Sequence, residues 1–261
     1  RRRRHLNGPP YIRQASGNDI GHTQIYCHNE TQPPVYFTSS DMYAVQGSQP
    51  DNGGPGLFIM NGDPVRHGTT NGTMYLLYEN DHDFVPYLYT VLMAQPFFFP
   101  LFQIPPGGAV FVVPCPTFEG RVVRGDFTNF DGKKHLLGTW AELNWNINGT
   151  AWGDVSLLQG NDGPVILEAM DGSSSNNSSS SIKWKGFEVD VLSNAPAGAW
   201  AQKATGSWCL DKITGVGGNG VTRAWETMYL DPQNVYLEDD INPVINSNNG
   251  RFSVTFFSGV I

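Results

Sequence analysis

The most informative pattern of the chain lies in TWAELNWN, residues 139–146, and GDVSLL, residues 153–158. TWAELNWN alternates polar and apolar residues, which is the period-2 pattern of a half-buried β-strand. GDVSLL is typical of a second strand, and a turn region at Asn148-Gly149 lies between the two. We therefore predict a pair of neighbouring strands that belongs to a β-rich fold.

The first of these strands has one polar and one apolar face, because side chains alternate across a strand. The apolar face carries Ala141, Leu143 and Trp145. The polar face carries an aromatic ring, a carboxylate and two amides, from Trp140, Glu142, Asn144 and Asn146. Such a face suits sugar, because planar rings stack on pyranose faces while amides and carboxylates bind hydroxyls. A solvent-exposed sheet face is the alternative interpretation.

Asp154 begins the second strand, twelve residues after Glu142. If the strands pair, the two carboxyl groups approach each other across the sheet. Glycoside hydrolysis needs two such acids, one protonated to donate to the leaving oxygen and one ionised as nucleophile or base. The pair is therefore a candidate active site, with Glu142 as the acid and Asp154 as the nucleophile or base.

The rest of the chain also favours an all-β fold. Its 261 residues include 30 Gly and 18 Pro, and only 15% are charged, which is typical of short strands joined by tight turns. Short helices are predicted only at 193–204 and 221–230. Further strands are predicted within 22–40 and at 57–60, 73–78, 87–93, 109–113, 120–124, 164–169 and 251–259, a spacing typical of a sandwich or barrel.

Several motifs resemble the thaumatin-like family. The strongest are TWAELNWN with GDVSLLQGNDGPV at 153–165, then GRVVRGDFTNFDG at 120–132 and IPPGGAVFVVP at 104–114. The hairpin IYCHNETQPPVYF at 25–37 and the closing RFSVTFFSG are similar to the family's two ends. The resemblance implies an all-β, thaumatin-like β-sandwich with long loops, in which residues 39–103 form an insertion.

The resemblance also implies a secreted protein with an acidic cleft that binds β-1,3-glucan of cell walls, sometimes with weak endoglucanase activity. Glu142 matches the family's Glu, and Asp154 matches its first Asp. The second Asp position is occupied by Gln159, and the family's Arg falls on Gly125, next to Arg124. The ligand-binding residues expected on this basis are Trp140, Asn144, Gln159 and Arg124.

Gln159 bears on catalysis, because an amide forms hydrogen bonds but cannot ionise or relay a proton. We therefore expect a glycan-binding protein with weak or no hydrolysis. An active endo-β-1,3-glucanase that uses Glu142 and Asp154 is the alternative. A structural jelly-roll assembly protein is a further alternative, with Arg1–Arg4 as a basic arm and 96–102 as a contact surface.

The chain is predicted to form a flexible N-terminal arm at 1–21 and a single domain at 22–261. Within that domain, DGSSSNNSSSS at 171–181 is too polar to bury and is predicted to be a mobile loop. The cysteines Cys27, Cys115 and Cys209 allow at most one disulfide, and their pairing stays open.

The expected partner is a polysaccharide, bound by a secreted monomer of the extracellular space or cell wall. Five N-x-[ST] sequons favour secretion, with glycosylation expected at Asn29, Asn71, Asn148, Asn176 and Asn177. The net charge of −8 disfavours nucleic-acid binding. The apolar stretch 85–108 contains five prolines that interrupt any helix, so no membrane span is predicted.

We predict neither a metal nor a cofactor. The acidic stretch YENDHDF at 78–84 could offer oxygen ligands to calcium, but close carboxylates in an exposed turn are usually only solvated. GVGGNG at 215–220 satisfies a dinucleotide-binding pattern without the βαβ unit that the pattern needs, so we expect a glycine-rich loop.

Overall fold

The regular secondary structure of the computed structural model is mostly β-strand. The structure describes residues 44–45, 51, 53–62, 74–80, 101–104, 107–113, 119–125, 137–171, 183–203, 206–238 and 240–260. Its strands are β1 (Ala44–Val45), β2 (Gly56–Asn61), β3 (Met74–Asn80), β4 (Leu101–Ile104), β5 (Ala109–Val112), β6 (Glu119–Gly125), β7 (Trp140–Trp145), β8 (Ala151–Ser156), β9 (Val165–Ala169), β10 (Trp184–Phe187), β11 (Trp200–Gln202), β12 (Trp208–Leu210), β13 (Ile245–Ser247) and β14 (Arg251–Phe256). A single α-helix, α1 (Gly220–Tyr229), occurs in these ranges.

The strands form two large sheets and a small ladder. The first sheet has the order β1-β4-β3-β6-β7-β8-β13, and the second has the order β10-β9-β14-β2-β5. The pairs β1–β4 and β14–β2 are parallel, and the other pairs within these sheets are antiparallel. Strands β11 and β12 pair separately. The prediction of an all-β protein is therefore confirmed.

One hydrophobic core contains buried side chains of both sheets. Strand β7 contributes Ala141, Leu143 and Trp145, the face that the alternation predicted to be apolar, so that prediction is confirmed. The second sheet contributes, among others, Ile59, Leu167 and Val254, all fully buried. Burial of apolar area of this kind is the dominant favourable term in folding.

The predicted strands that fall on described residues are confirmed, with small shifts at their ends. The helix at 221–230 is confirmed as α1. The prediction of a helix at 193–204 is wrong, because the helical part of this segment is limited to a 3₁₀ turn at Ala197–Ala199. Pro196 is extended before this turn, and the chain after it pairs as β11 with β12. The hairpin predicted within 22–40, the strand at 87–93 and most of the loop at 171–181 lie outside the described residues.

The segment 39–103 supplies interior strands to both sheets. Strand β2 pairs with β14 at six consecutive positions and with β5 on its other side. Strand β3 lies between β4 and β6. Although the resemblance implies an insertion here, β2 and β3 are interior strands of the two sheets, and Leu57 and Ile59 of β2 belong to the core.

Helix α1 turns polar residues inward. Asn219 caps its N-terminus by accepting hydrogen bonds from the amides of Val221 and Thr222. The helical side chains that are fully buried are those of Thr222 and Glu226, and the Thr222 hydroxyl donates to the Ala199 carbonyl. None of the described helices is long and apolar enough to cross a membrane.

Candidate functional site

A cavity of about 310 Å³ opens on the face of the first sheet that points away from the core. Its floor is formed by β6, β7 and β8. The polar and aromatic side chains that line it are Glu119, Glu142, Asn144, Trp152, Asp154 and Tyr236. We refer to this cavity as the acidic groove. Its size lies at the small end of the range for ligand-binding pockets.

Strand register brings Glu142 and Asp154 together. The two residues are direct partners in the antiparallel β7–β8 pair, and Arg121 of β6 is the partner of Glu142 on the other side. Directly opposed residues of antiparallel strands have Cβ atoms about 4.5–5.5 Å apart. The carboxyl groups twelve residues apart in the sequence are therefore neighbours in the groove.

The turn between β7 and β8 fixes this register. The Asn146 amide donates to the Thr150 carbonyl at 2.8 Å, and the Asn148 side chain accepts from the Thr150 amide at 3.0 Å. Gly149 takes a φ of +85°, a value that favours glycine. Asn148 is exposed in this turn, and its glycosylation stays a prediction. The other four sequons lie outside the described residues.

Asp154 and Glu142 are both half-buried. Burial of the Asp154 carboxyl raises its pKa well above the ordinary value, and the nearby charge of Glu142 raises this pKa further. Within the described part of the chain, Oδ1 of Asp154 is buried and has no hydrogen-bond partner. Asp154 therefore favours the protonated form, in which it can both donate and accept hydrogen bonds.

Trp140 does not line the groove. Its ring is covered by the guanidinium of Arg121, which lies 3.8 Å from the ring centroid, and both residues are buried. The aromatic ring that lines the groove is Trp152, which is 40% exposed. The signal for Trp152 is present in the sequence, because Trp152 and Asp154 are two positions apart on one strand and therefore share a face.

Arg124 lies on the opposite face of β6 from Arg121 and is also buried. Its guanidinium forms an ion pair with Asp162 and donates to the carbonyls of Pro164 and Phe257. The ammonium of Lys203 also pairs with Asp162, at 2.7 Å. The predicted ligand-binding role is thus not supported by position, since Arg124 belongs to a buried ionic cluster of Arg124, Asp162 and Lys203.

Gln159 lies in the turn after β8 and is half-buried. Its backbone carbonyl accepts from the Gly138 amide at 3.3 Å, and its side chain does not line the acidic groove. An amide rather than a carboxylate at position 159 therefore leaves the Glu142–Asp154 pair unaffected. Asn144 is the one predicted ligand-binding residue that does line the groove.

The lining of the groove is acidic and aromatic. Three carboxyl groups contribute, from Glu119, Glu142 and Asp154, and no Lys, Arg or His belongs to the described lining. Among the described residues, no group of three His, Cys, Asp or Glu side chains could hold a metal ion. The groove thus offers hydrogen-bonding groups and aromatic surface to a polar ligand.

Comparison with known proteins gives no family for the chain. No family model matches the sequence, and no curated protein is significantly similar to it.

Proposed function

We propose that the acidic groove binds a polysaccharide, with cell-wall β-glucan as the ligand, and that hydrolysis is weak or absent. The observation that carries this proposal is the direct pairing of Glu142 with Asp154 in a cavity that also contains Trp152 and Tyr236. The thaumatin-like resemblance supports the same ligand class. We also propose that the protein is secreted and monomeric and that its fold is thaumatin-like.

The chemistry of the groove suits sugar hydroxyls. A protonated Asp154 donates one hydrogen bond and accepts others, whereas the Asn144 amide donates and accepts at separate atoms. Aromatic rings provide flat apolar area for the C–H face of a pyranose ring. A few placed polar groups beside apolar area are what small-ligand sites generally contain.

Glycoside hydrolysis is the second candidate function, and the environment of Asp154 favours it. When the environments of two carboxyl groups give them different pKa values, the group with the higher pKa can act as the acid and the other as the base. Burial and the Glu142 charge raise the pKa of Asp154, so Asp154 would be the proton donor and Glu142 the ionised group. These roles are the reverse of those that the sequence suggested.

Calorimetric titration with laminarin, a soluble β-1,3-glucan, tests the binding proposal. We expect wild type to bind, and Glu142→Gln and Asp154→Asn to lose about 10- to 100-fold in affinity, as for loss of a hydrogen bond to an ionisable group. Glu168→Gln is the matched control, because Glu168 is a half-buried strand carboxylate of the second sheet. Wild type that binds no laminarin, or groove variants equal to the control, would refute the proposal.

Release of reducing sugar from laminarin separates the two candidates. Binding without release identifies a binding protein. Release by wild type that is lost in Asp154→Asn and retained in Glu168→Gln identifies a hydrolase whose acid is Asp154.

A further inference from the structure

The three strands below the groove carry two adjacent rows of side chains on the same face of the sheet. The first row crosses the strands as Arg121, Glu142 and Asp154, of which Glu142 and Asp154 line the groove. The second row crosses them as Glu119, Asn144 and Trp152. On each strand the members of the two rows are two positions apart, which corresponds to roughly 7 Å along the strand. The second row is therefore close enough to contact a neighbouring unit of the same ligand.

The exposure of Trp152 has no explanation in packing. Its direct partners on the two neighbouring strands are Asn144 of β7 and Asn246 of β13. An indole ring between two amides is not part of an apolar cluster, yet 40% of Trp152 is open to solvent. Flat apolar area flanked by amides is a combination that suits a sugar ring.

Two other exposed tryptophans serve as a comparison. Trp184 of β10 is 43% exposed and Trp208 of β12 is 55% exposed, but neither lines the acidic groove. Exposure alone therefore does not mark a binding residue. Trp152 differs from both by lying in the same cavity as the carboxyl pair.

We propose that Trp152 and Asn144 form a second sugar subsite beside the Glu142–Asp154 pair, so that the groove recognises consecutive pyranose units within a chain. This inference rests on the proposed function and adds to it that the ligand must be an oligosaccharide with at least two consecutive units. Trp152 supplies the stacking surface, and Asn144 binds hydroxyls of the stacked unit. A single sugar can fill only one of the two subsites.

Titration with glucose and with laminarihexaose tests the subsite. Wild type should bind laminarihexaose far more tightly than glucose. Trp152→Ala should lower the affinity for laminarihexaose about tenfold or more, because an aromatic contact and its buried area are lost. Trp152→Phe should restore most of this loss, since the flat ring is retained. Trp208→Ala, a variant of a more exposed tryptophan outside the groove, should bind as wild type does.

The outcomes distinguish this inference from the proposed function. Equal laminarihexaose affinity of wild type and Trp152→Ala would overturn the subsite alone. Equal binding of glucose and laminarihexaose by wild type would also overturn it. Absence of laminarihexaose binding by wild type would overturn both the subsite and the proposed function. Should Trp152→Ala fail to fold, Trp152→Thr keeps a β-branched residue at the strand position and is expected to show the same loss.

Discussion

Replacement of Glu226 by Gln should make the protein more stable at neutral pH. Glu226 is fully buried on the inner side of α1, where its Oε1 accepts a hydrogen bond from the side-chain amide of Asn161 at 3.0 Å. Within the described residues its Oε2 is buried without a partner. Burial raises the pKa of this carboxyl from 4.5 to about 8, although the Asn161 hydrogen bond lowers it in part. The folded protein therefore keeps a proton on Glu226 at pH 7, whereas the unfolded chain releases it.

The sign and size of the effect follow from this difference in proton binding. Because the folded-state pKa is the higher one, stability is fully present below pH 4.5 and falls as the pH rises towards 8. At pH 7 the loss is about 3 kcal/mol, from 1.36 kcal/mol per pH unit between 4.5 and 7. Gln has the same shape, keeps the acceptor for Asn161 and cannot titrate. The buried amide of Gln adds a cost that does not depend on pH.

Urea denaturation of wild type and Glu226→Gln at pH 4 and pH 7 measures the effect. The stability of the variant relative to wild type should increase by about 3 kcal/mol between these two pH values. Met228→Leu, on the exposed side of the same helix, is the control and should show no such increase. A Glu226→Gln difference that is the same at pH 4 and pH 7 would refute the reasoning.

Three further predictions concern the buried interior. Asp162→Asn should cost about 3–5 kcal/mol in urea denaturation, because two buried cations lose their shared carboxylate; a cost below about 1 kcal/mol would contradict this account. Gly186→Ala should destabilise the protein far more than Gly215→Ala, as judged by thermal unfolding. Both glycines have positive φ, but a Cβ at Gly186 would lie 2.0 Å from a backbone oxygen, whereas a Cβ at Gly215 would have no atom within 4 Å. Equal losses of stability in the two variants would be inconsistent with this geometry. Cys209, a buried free thiol whose pKa is raised by burial to about 12, should resist iodoacetamide in the native protein and react in urea, as measured by peptide mass spectrometry. Rapid native labelling would show that this thiol is accessible.

The strand pair at the centre of the account could be predicted because period-2 alternation is a local property. Ala141, Leu143 and Trp145 had to share a face, and that face had to be buried in a sheet covered on one side. The same rule placed Glu142 on the other face, and the short turn after β7 brought it opposite Asp154. The alternation of side chains and the short turn were thus enough to predict that the two carboxyl groups are neighbours.

The surroundings of Trp140 and Arg124, by contrast, depend on contacts between different segments of the chain. Trp140 shares the polar face of β7, yet Arg121 from the neighbouring strand covers its ring. Arg124 is only three residues from Arg121, but the intervening alternation turns it inward to Asp162. The buried ionic cluster also needs Lys203, which is far away in the sequence. No local pattern predicts which cation a buried carboxylate will select.

The helix predicted at 193–204 shows a different limit. The alanine-rich sequence of this segment favours a helix by intrinsic propensity. Pro196 restricts the start of that helix, and pairing of β11 with β12 stabilises an extended chain from Trp200 onward. Tertiary pairing therefore overrides the local preference.

A crystal structure of the protein soaked with laminarihexaose tests the central claim most directly. The account predicts sugar density in the acidic groove, with one unit hydrogen-bonded to Glu142 and Asp154 and the adjacent unit stacked on Trp152. Density confined to a different surface, such as the cavity of about 510 Å³ beside Trp200 and Phe257, would contradict it.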